Sequence, residues 1–330
     1  MKKLMILLLF TPFFLVTGCD NGNPEINLGM LKVPNDAILA KQMGLFEEKF
    51  GELGYDVNYI YNDSGVEANQ ALASGDLDFA TMGNINALVA LGTDIDAELF
   101  WIHETLGDVE ALAVKDDSGI ESLSDLKGKE IATTFASTAH YVLMNVLRDE
   151  GIEDDVQLLN MKTSQIVAAW DRGDIEAAYT WQPSLGELLE DGEVLVSSGD
   201  MIDEGYRTAN VELVRESFSE EHPELVETYI ECMHEAHQYF KEDEEGAIEA
   251  LASELGLDES EVATQVEGSI WTSLEDMQGA EFMETYENTM QEQSAFLKNQ
   301  DLLESEISID RIREFMNDTY AQGVDDENTD

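Results

Sequence analysis

The chain has 330 residues, 43% of them hydrophobic, and sets 17 lysines and arginines against 71 acids for a formal charge of −54. At ~150 residues per domain this length holds two domains with buried cores, and the apolar content is too high for a disordered acidic chain. So negative a surface repels phosphate backbones and excludes nucleic acid as a partner.

The first element in chain order is a targeting segment. Lys2 and Lys3 precede an almost continuous apolar stretch from Leu4 to Val16. At ~13 residues it is short for a membrane span and has the length of a signal-peptide core. It ends in Val16-Thr17-Gly18-Cys19, which resembles the lipobox of bacterial lipoproteins. Residues 1–18 are therefore expected to be removed, with Cys19 carrying the lipid that anchors the chain to the membrane, and residues 19–25 to act as a tether. Cleavage takes away two lysines and no acid, which moves the charge from −54 to −56. Cys232 is then the one other thiol, so no internal disulfide is available and packing alone must hold the exported fold. The acid excess suits a salty exterior: at ~1 M salt the Debye length falls to ~3 Å and self-repulsion fades.

Strands and helices then alternate. Ile26–Leu31 reads as a strand, and Asn35 caps a helix to Met43. Asp56–Tyr61 alternates like a strand, and Ser64-Gly65-Val66-Glu67 opens a helix that stops near Gly75. Leu77–Met82 is the next strand, Ile85–Leu91 an apolar helix, and Ala97–His103 and Glu110–Lys115 two further strands. Beyond Lys115 come a short helix at 122–127, a strand at 130–134, and a helix to Glu150 capped by Ser137 or Thr138. Strand, helix, strand, helix, strand follow at 156–160, 166–172, 177–179, 183–190 and 193–197. Asn210–Arg215 is the last strand, Pro223 starts a helix to about Phe240, and helices continue at 244–254, 260–268, 281–299 and 308–321. This alternation predicts α/β architecture with parallel sheets covered on both faces. The return of the chain predicts two lobes: residues 26–112 and 212–330 in the first and 113–211 in the second. Glu110–Lys115 and Asn210–Arg215 are the expected crossing strands, with a ligand cleft at strand C-termini and helix N-termini.

Several stretches in order carry a specific resemblance. They are Asp63-Ser64-Gly65, Ala71 to Asp76, Met82-Gly83-Asn84, Glu110-Ala111-Leu112, Ser137 to Tyr141, and Ala168 to Ile175 running into Ala178 to Pro183. Together they resemble the taurine-type substrate-binding proteins of ABC importers, in the nitrate/sulfonate/taurine group, from about residue 26 to 300. The resemblance implies a type II periplasmic-binding fold, monomeric action, delivery to an ABC permease with its ATPase, and an anionic organosulfonate such as taurine as ligand.

The residues agree with that implication. Helix N-termini after Gly83-Asn84 and after Ser137-Thr138 offer backbone N–H groups and a positive dipole end to an anion. Asn84, Asn86, Ser137, Thr138 and His140 are the candidates there, with Trp181, Trp101 and Trp271 to close around an aliphatic chain. Glu110 would pair with a ligand ammonium. Taurine-type members usually carry an aspartate where this chain has Asn210, which keeps an acceptor and loses the charge; an aminosulfonate held by Glu110 alone, a sulfonate without an amine, and a different small solute such as a nitrate-like anion, an amine or a pyrimidine precursor all stay open. Trp170 fits a helix core. No G-x-S-x-G elbow, phosphate loop, H-E-x-x-H or paired-cysteine zinc pattern occurs, so neither enzyme nor cofactor is expected. Glu231, Cys232, His234 and His237 share one helix and converge too little to hold a metal.

Overall fold

A computed structural model describes residues 23–324; the predicted signal peptide and Cys19 lie outside the described residues. The first half of the first lobe runs β1 (Glu25–Met30), α1 (Asp36–Met43), α2 (Leu45–Glu52), β2 (Asp56–Tyr61), α3 (Gly65–Ser74), β3 (Phe79–Gly83), α4 (Asn84–Gly92) and β4 (Glu98–Leu106). The middle of the chain forms β5 (Glu110–Lys115), β6 (Glu130–Thr133), α5 (Thr138–Asp149), β7 (Gln157–Asn160), α6 (Thr163–Asp171), β8 (Ala177–Trp181), α7 (Ser184–Leu188) and β9 (Gly192–Ser197). The chain then returns as β10 (Ala209–Val214), α8 (Glu216–Glu221), α9 (Pro223–Glu242), α10 (Glu244–Leu255), α11 (Glu259–Glu267) and β11 (Ser269–Trp271). Helices α12 (Leu274–Met277), α13 (Ala280–Asn299), α14 (Ile309–Phe315) and α15 (Thr319–Gly323) complete it.

Local chemistry explains where the helices start. The side chains of Asn35, Ser64 and Ser137 accept from the backbone N–H three residues on, satisfying one of the orphan donors of each first turn. Helix α3 stops where Gly75 turns to φ 78°, a left-handed conformation that glycine adopts at little cost.

Two sheets result, ordered β11-β4-β10-β3-β1-β2 and β7-β6-β8-β5-β9. Both are mixed rather than parallel, a departure from the sequence reading. Strand β10 runs antiparallel between β3 and β4, and β5 antiparallel between β8 and β9. Each of these strands pairs on both edges within one sheet, so neither spans the two. The crossings are the segments 107–109 and 198–208, a few residues before each expected boundary. The strand β11 went unseen in the sequence, and the helix expected over 308–321 breaks at Met316-Asn317-Asp318.

The first lobe's core centres on Phe46, Phe79, Phe100 and Tyr229, with Phe79 and Tyr229 stacked at 4.8 Å. The second has a smaller core of alanines on β5, β6 and β8 with Ile166, Trp170, Leu185 and Leu188. Trp170 is core, as read, and its Nε1 donates to Asp191 at 2.6 Å. Cys232 is fully buried and His237 pairs with Asp36 at 3.0 Å. No helix among the described residues is long and apolar enough to cross a membrane.

Candidate functional site

A cavity of about 200 Å³ lies between the two sheets, lined from both sides. That is below the roughly 300–1,000 Å³ of pockets for drug-sized ligands and suits a small solute. The starts of α3, α4 and α5 all reach it: Ser64, Gly65 and Val66; Gly83 and Asn86; Ser137 and Thr138. First-turn N–H groups have no carbonyl partner within their own helix, and three positive dipole ends meet here. The close approach depends on glycine. A Cβ on Gly65 would come within 2.4 Å of Asn86 Oδ1, and one on Gly83 within 2.9 Å of Thr138 Cγ2. Polar contacts cross the cleft: Asn86 Nδ2 donates to the Ala136 carbonyl at 2.8 Å, and Lys162 pairs with Glu67 at 2.7 Å. Lys32 stands exposed at the cavity wall.

Three carboxylates among the described residues line the cavity: Asp63 is exposed, and the two buried ones, Glu104 and Glu110, differ in how they are satisfied. Glu110 is completely buried. Its Oε2 accepts from Thr138 Oγ1 at 2.5 Å and its Oε1 from Ser198 Oγ at 2.7 Å, and the Ala139 N–H also donates to it. Burial pushes its carboxyl up to about 7 against these donors. Glu110 thus locks the start of α5 and orients Thr138. Glu104, which the sequence reading passed over, is 3% exposed. Asn210 Nδ2 donates to its Oε1 at 2.5 Å, while its Oε2 has no hydrogen-bond partner among the described residues. Burial pushes this carboxyl too up to about 7.

A bulge puts Glu104 there. Asn210 pairs with Glu104, but Val211 pairs with Ile102, so His103 is an extra residue on β4. Asn210 and Glu212 face the same side of β10 by the period of two. Their partners on β4 are nevertheless consecutive: Glu104 for Asn210 and His103 for Glu212, the latter at 2.8 Å. An alternating pattern read from the sequence contains no such pair of neighbours on one face.

Of the residues expected at the site, Asn86, Glu110, Ser137, Thr138, Trp181 and Asn210 line the cavity. Asn84 and His140 are not among its lining residues. The Asn84 amide lies under the cleft floor, donating to Gln293 Oε1 at 2.7 Å and accepting from the Ala209 N–H at 3.3 Å. His140 stacks on Phe135 at 4.5 Å and meets Phe296 edge-on, and burial lowers its pKa to about 4. Trp101 is in the first lobe's core, and Trp271 stacks on Phe240 at 4.7 Å; neither closes the pocket. Among the described residues, Trp181 is the one aromatic in the lining.

Residues 24–266 match the substrate-binding domain of ABC-type glycine betaine transport systems. The taurine-binding periplasmic protein of Escherichia coli K12 is 35% identical over 258 residues, 76% of this chain and 79% of that one. A putative aliphatic sulfonates-binding protein of Bacillus subtilis 168 is 28% identical over 272 residues, 79% and 81% of the two chains. The alkanesulfonate-binding protein SsuA of Xanthomonas axonopodis pv. citri, solved bound to MOPS, superposes with a TM-score of 0.76 at 22% identity, covering 88% of this chain and 98% of that one. The desulfurization enzyme DSZB shares the fold with a TM-score of 0.67 at 18% identity, over 91% and 98% of the chains. With a family match across most of its length and a cleft built from both lobes, the chain belongs to the substrate-binding domains of ABC-type transport systems.

Proposed function

We propose that this protein is the extracytoplasmic solute-binding component of an ABC importer and captures taurine or a related small organosulfonate in the inter-lobe cleft. The observation that carries the reading is the meeting of three helix starts at one small cavity. A sulfonate has three acceptor oxygens and one spread charge, which backbone N–H groups and dipole ends hold well. The sequence kinship to a taurine-binding protein supports the ligand class. Among the site residues, we assign the anion to the starts of α3, α4 and α5, with Asn86, Ser137 and Thr138 shaping that end, and the aliphatic part to Trp181.

The relatives by sequence are binding proteins, which supports capture without chemistry; among the described residues no cysteine or histidine lines the cavity. A quaternary ammonium such as glycine betaine is disfavoured, because such ligands take a cage of aromatic faces and Trp181 stands alone. The leader resemblance and Cys19 support lipid anchoring on the outer face of the cytoplasmic membrane, where a permease and its ATPase would receive the ligand from the monomeric binding protein.

Two measurements test this. In molar NaCl, titration calorimetry should show taurine or a short alkanesulfonate binding at micromolar or tighter affinity, with melting temperature rising alongside; no response to any small sulfonate sinks the ligand class. The charge of −54 implies a melting temperature that climbs from low to molar NaCl as self-repulsion is screened; a flat or falling series removes the adaptation to salt.

A further inference from the structure

The cavity separates hydrogen-bonding character. Helix N-termini bring donors to one part of it. Elsewhere in the lining lie two buried acceptors with no donor among the described residues, Glu104 Oε2 and Gln265 Oε1, each on a residue 3% exposed. A buried acceptor is costly to leave without a donor, so both atoms favour a ligand that brings donors to this part of the cavity. Both sit around the same corner of the first sheet. Helix α11, which carries Gln265, runs into β11, and Trp271 on β11 is the register partner of Glu104 on β4.

We propose that Glu104 and Gln265 form an amine subsite, which takes the protonated primary amine of the ligand and selects an aminosulfonate over its amine-free analogue. The assignment rests on the organosulfonate reading and deepens it. An ammonium brings three N–H donors and a positive charge: one donor satisfies the free Glu104 oxygen, a second the Gln265 carbonyl, and the charge neutralises a carboxylate that is otherwise buried alone. Glu110 does not compete for this role, because both its oxygens already accept from Thr138, Ser198 and the Ala139 N–H. Asn210, the residue opposite Glu104 in the ladder, donates rather than accepts toward it and so holds the carboxylate with one oxygen turned free. A quaternary amine has no N–H to give and leaves both acceptors unmatched.

The experiment is calorimetry in molar NaCl at pH 8 with three probes: taurine, ethanesulfonate and glycine betaine. The parent should prefer taurine to ethanesulfonate by at least about tenfold and ignore glycine betaine. E104Q keeps the shape and still accepts from Asn210, so it should lose about 30-fold or more in taurine affinity while changing ethanesulfonate by less than about threefold. Q265A should lose taurine selectively and by less. E110Q, which unsettles Thr138, should weaken both sulfonates together. The double variant E104Q/N210D returns a carboxylate one strand over and should recover part of the taurine preference, which a misfolded E104Q could not do. Equal loss of both sulfonates in E104Q, or a parent that binds ethanesulfonate as tightly as taurine, overturns the amine subsite and leaves the sulfonate reading standing. A parent that binds neither sulfonate overturns the ligand class and the subsite with it.

Discussion

Replacing His103 with leucine should destabilise the fold by about 3–5 kcal/mol, the cost of removing one partner of a buried ion pair. His103 Nε2 lies 2.8 Å from Glu212 Oε2, and both side chains are wholly shielded from solvent. Thr81 Oγ1 donates to the same Glu212 oxygen at 2.7 Å and the Tyr229 hydroxyl also favours the carboxylate, but two neutral hydroxyls are too little to carry a charge alone at the centre of a sheet. Because the loss comes from the stranded acid and not from the missing contact, H103L/E212L should recover most of it: two apolar groups of similar volume leave no charge unpaired, only the neutral Thr81 and Tyr229 hydroxyls. Urea midpoints of the two single variants and the double one, taken at constant salt, give the coupling directly. A single variant within about 1 kcal/mol of the parent, or a double variant costing the sum of the two singles, shows that the pair does not act as one unit. H103L also bears on the cleft, since His103 is the bulged residue that turns Glu104 toward the cavity.

That bulge marks the limit of what could be read in advance. Strand and helix positions were legible wherever a local rule sufficed: alternation at Asp56–Tyr61, the serines that cap α3 and α5, and proline at the start of α9. The helix starts that reach the cavity followed, because a helix N-terminus is itself a local feature. The placement of Glu104 was not legible. Glu104 falls just past the strand expected over Ala97–His103, and its place depends on a register shift against a strand 106 residues further along. Glu110 was identified as a cleft acid, but its partners Thr138 and Ser198 lie 28 and 88 residues away, so its satisfaction could not be seen. The tryptophans show the same limit. The sequence reading sets Trp181, Trp101 and Trp271 around the cleft, whereas Trp101 is buried in the core, the half-buried Trp271 packs on Phe240, and Trp181 lines the cavity. The mixed sheets have a comparable cause: β5 and β10 enter their sheets just after the chain changes lobe, and a direction fixed by that crossing has no trace in residue type.

Between pH 5 and pH 8 the unliganded protein should lose stability, and taurine should increasingly restore it. Glu104 and Glu110 are both pushed up to about 7 by burial, from an ordinary 4.5. An acid whose pKa is raised in the fold holds a proton that the unfolded chain has already released. Its stabilising contribution is therefore complete below about 4.5 and declines as pH rises toward 7 and beyond. At 1.36 kcal/mol per unit, the displacement is worth roughly 3 kcal/mol for each carboxyl by pH 8. The groups around Glu104 modulate this: His103 and the Asn210 amide favour its ionised form, and Asp36 and Glu212 oppose it. Around Glu110 the ionised form is favoured by Thr138, Ser198 and the Ala139 N–H, and Tyr179 lies nearby. An ammonium beside Glu104 favours the carboxylate, so the melting shift given by saturating taurine should grow across this window, while that given by ethanesulfonate should not. The acidic surface also loses repulsion toward low pH, so the measurement belongs in molar NaCl, where that contribution is screened, with E104Q/E110Q as the reference. A double variant that declines with pH as steeply as the parent would assign the slope to the surface, and a taurine shift that stays constant from pH 5 to 8 would detach the ligand's amine from Glu104.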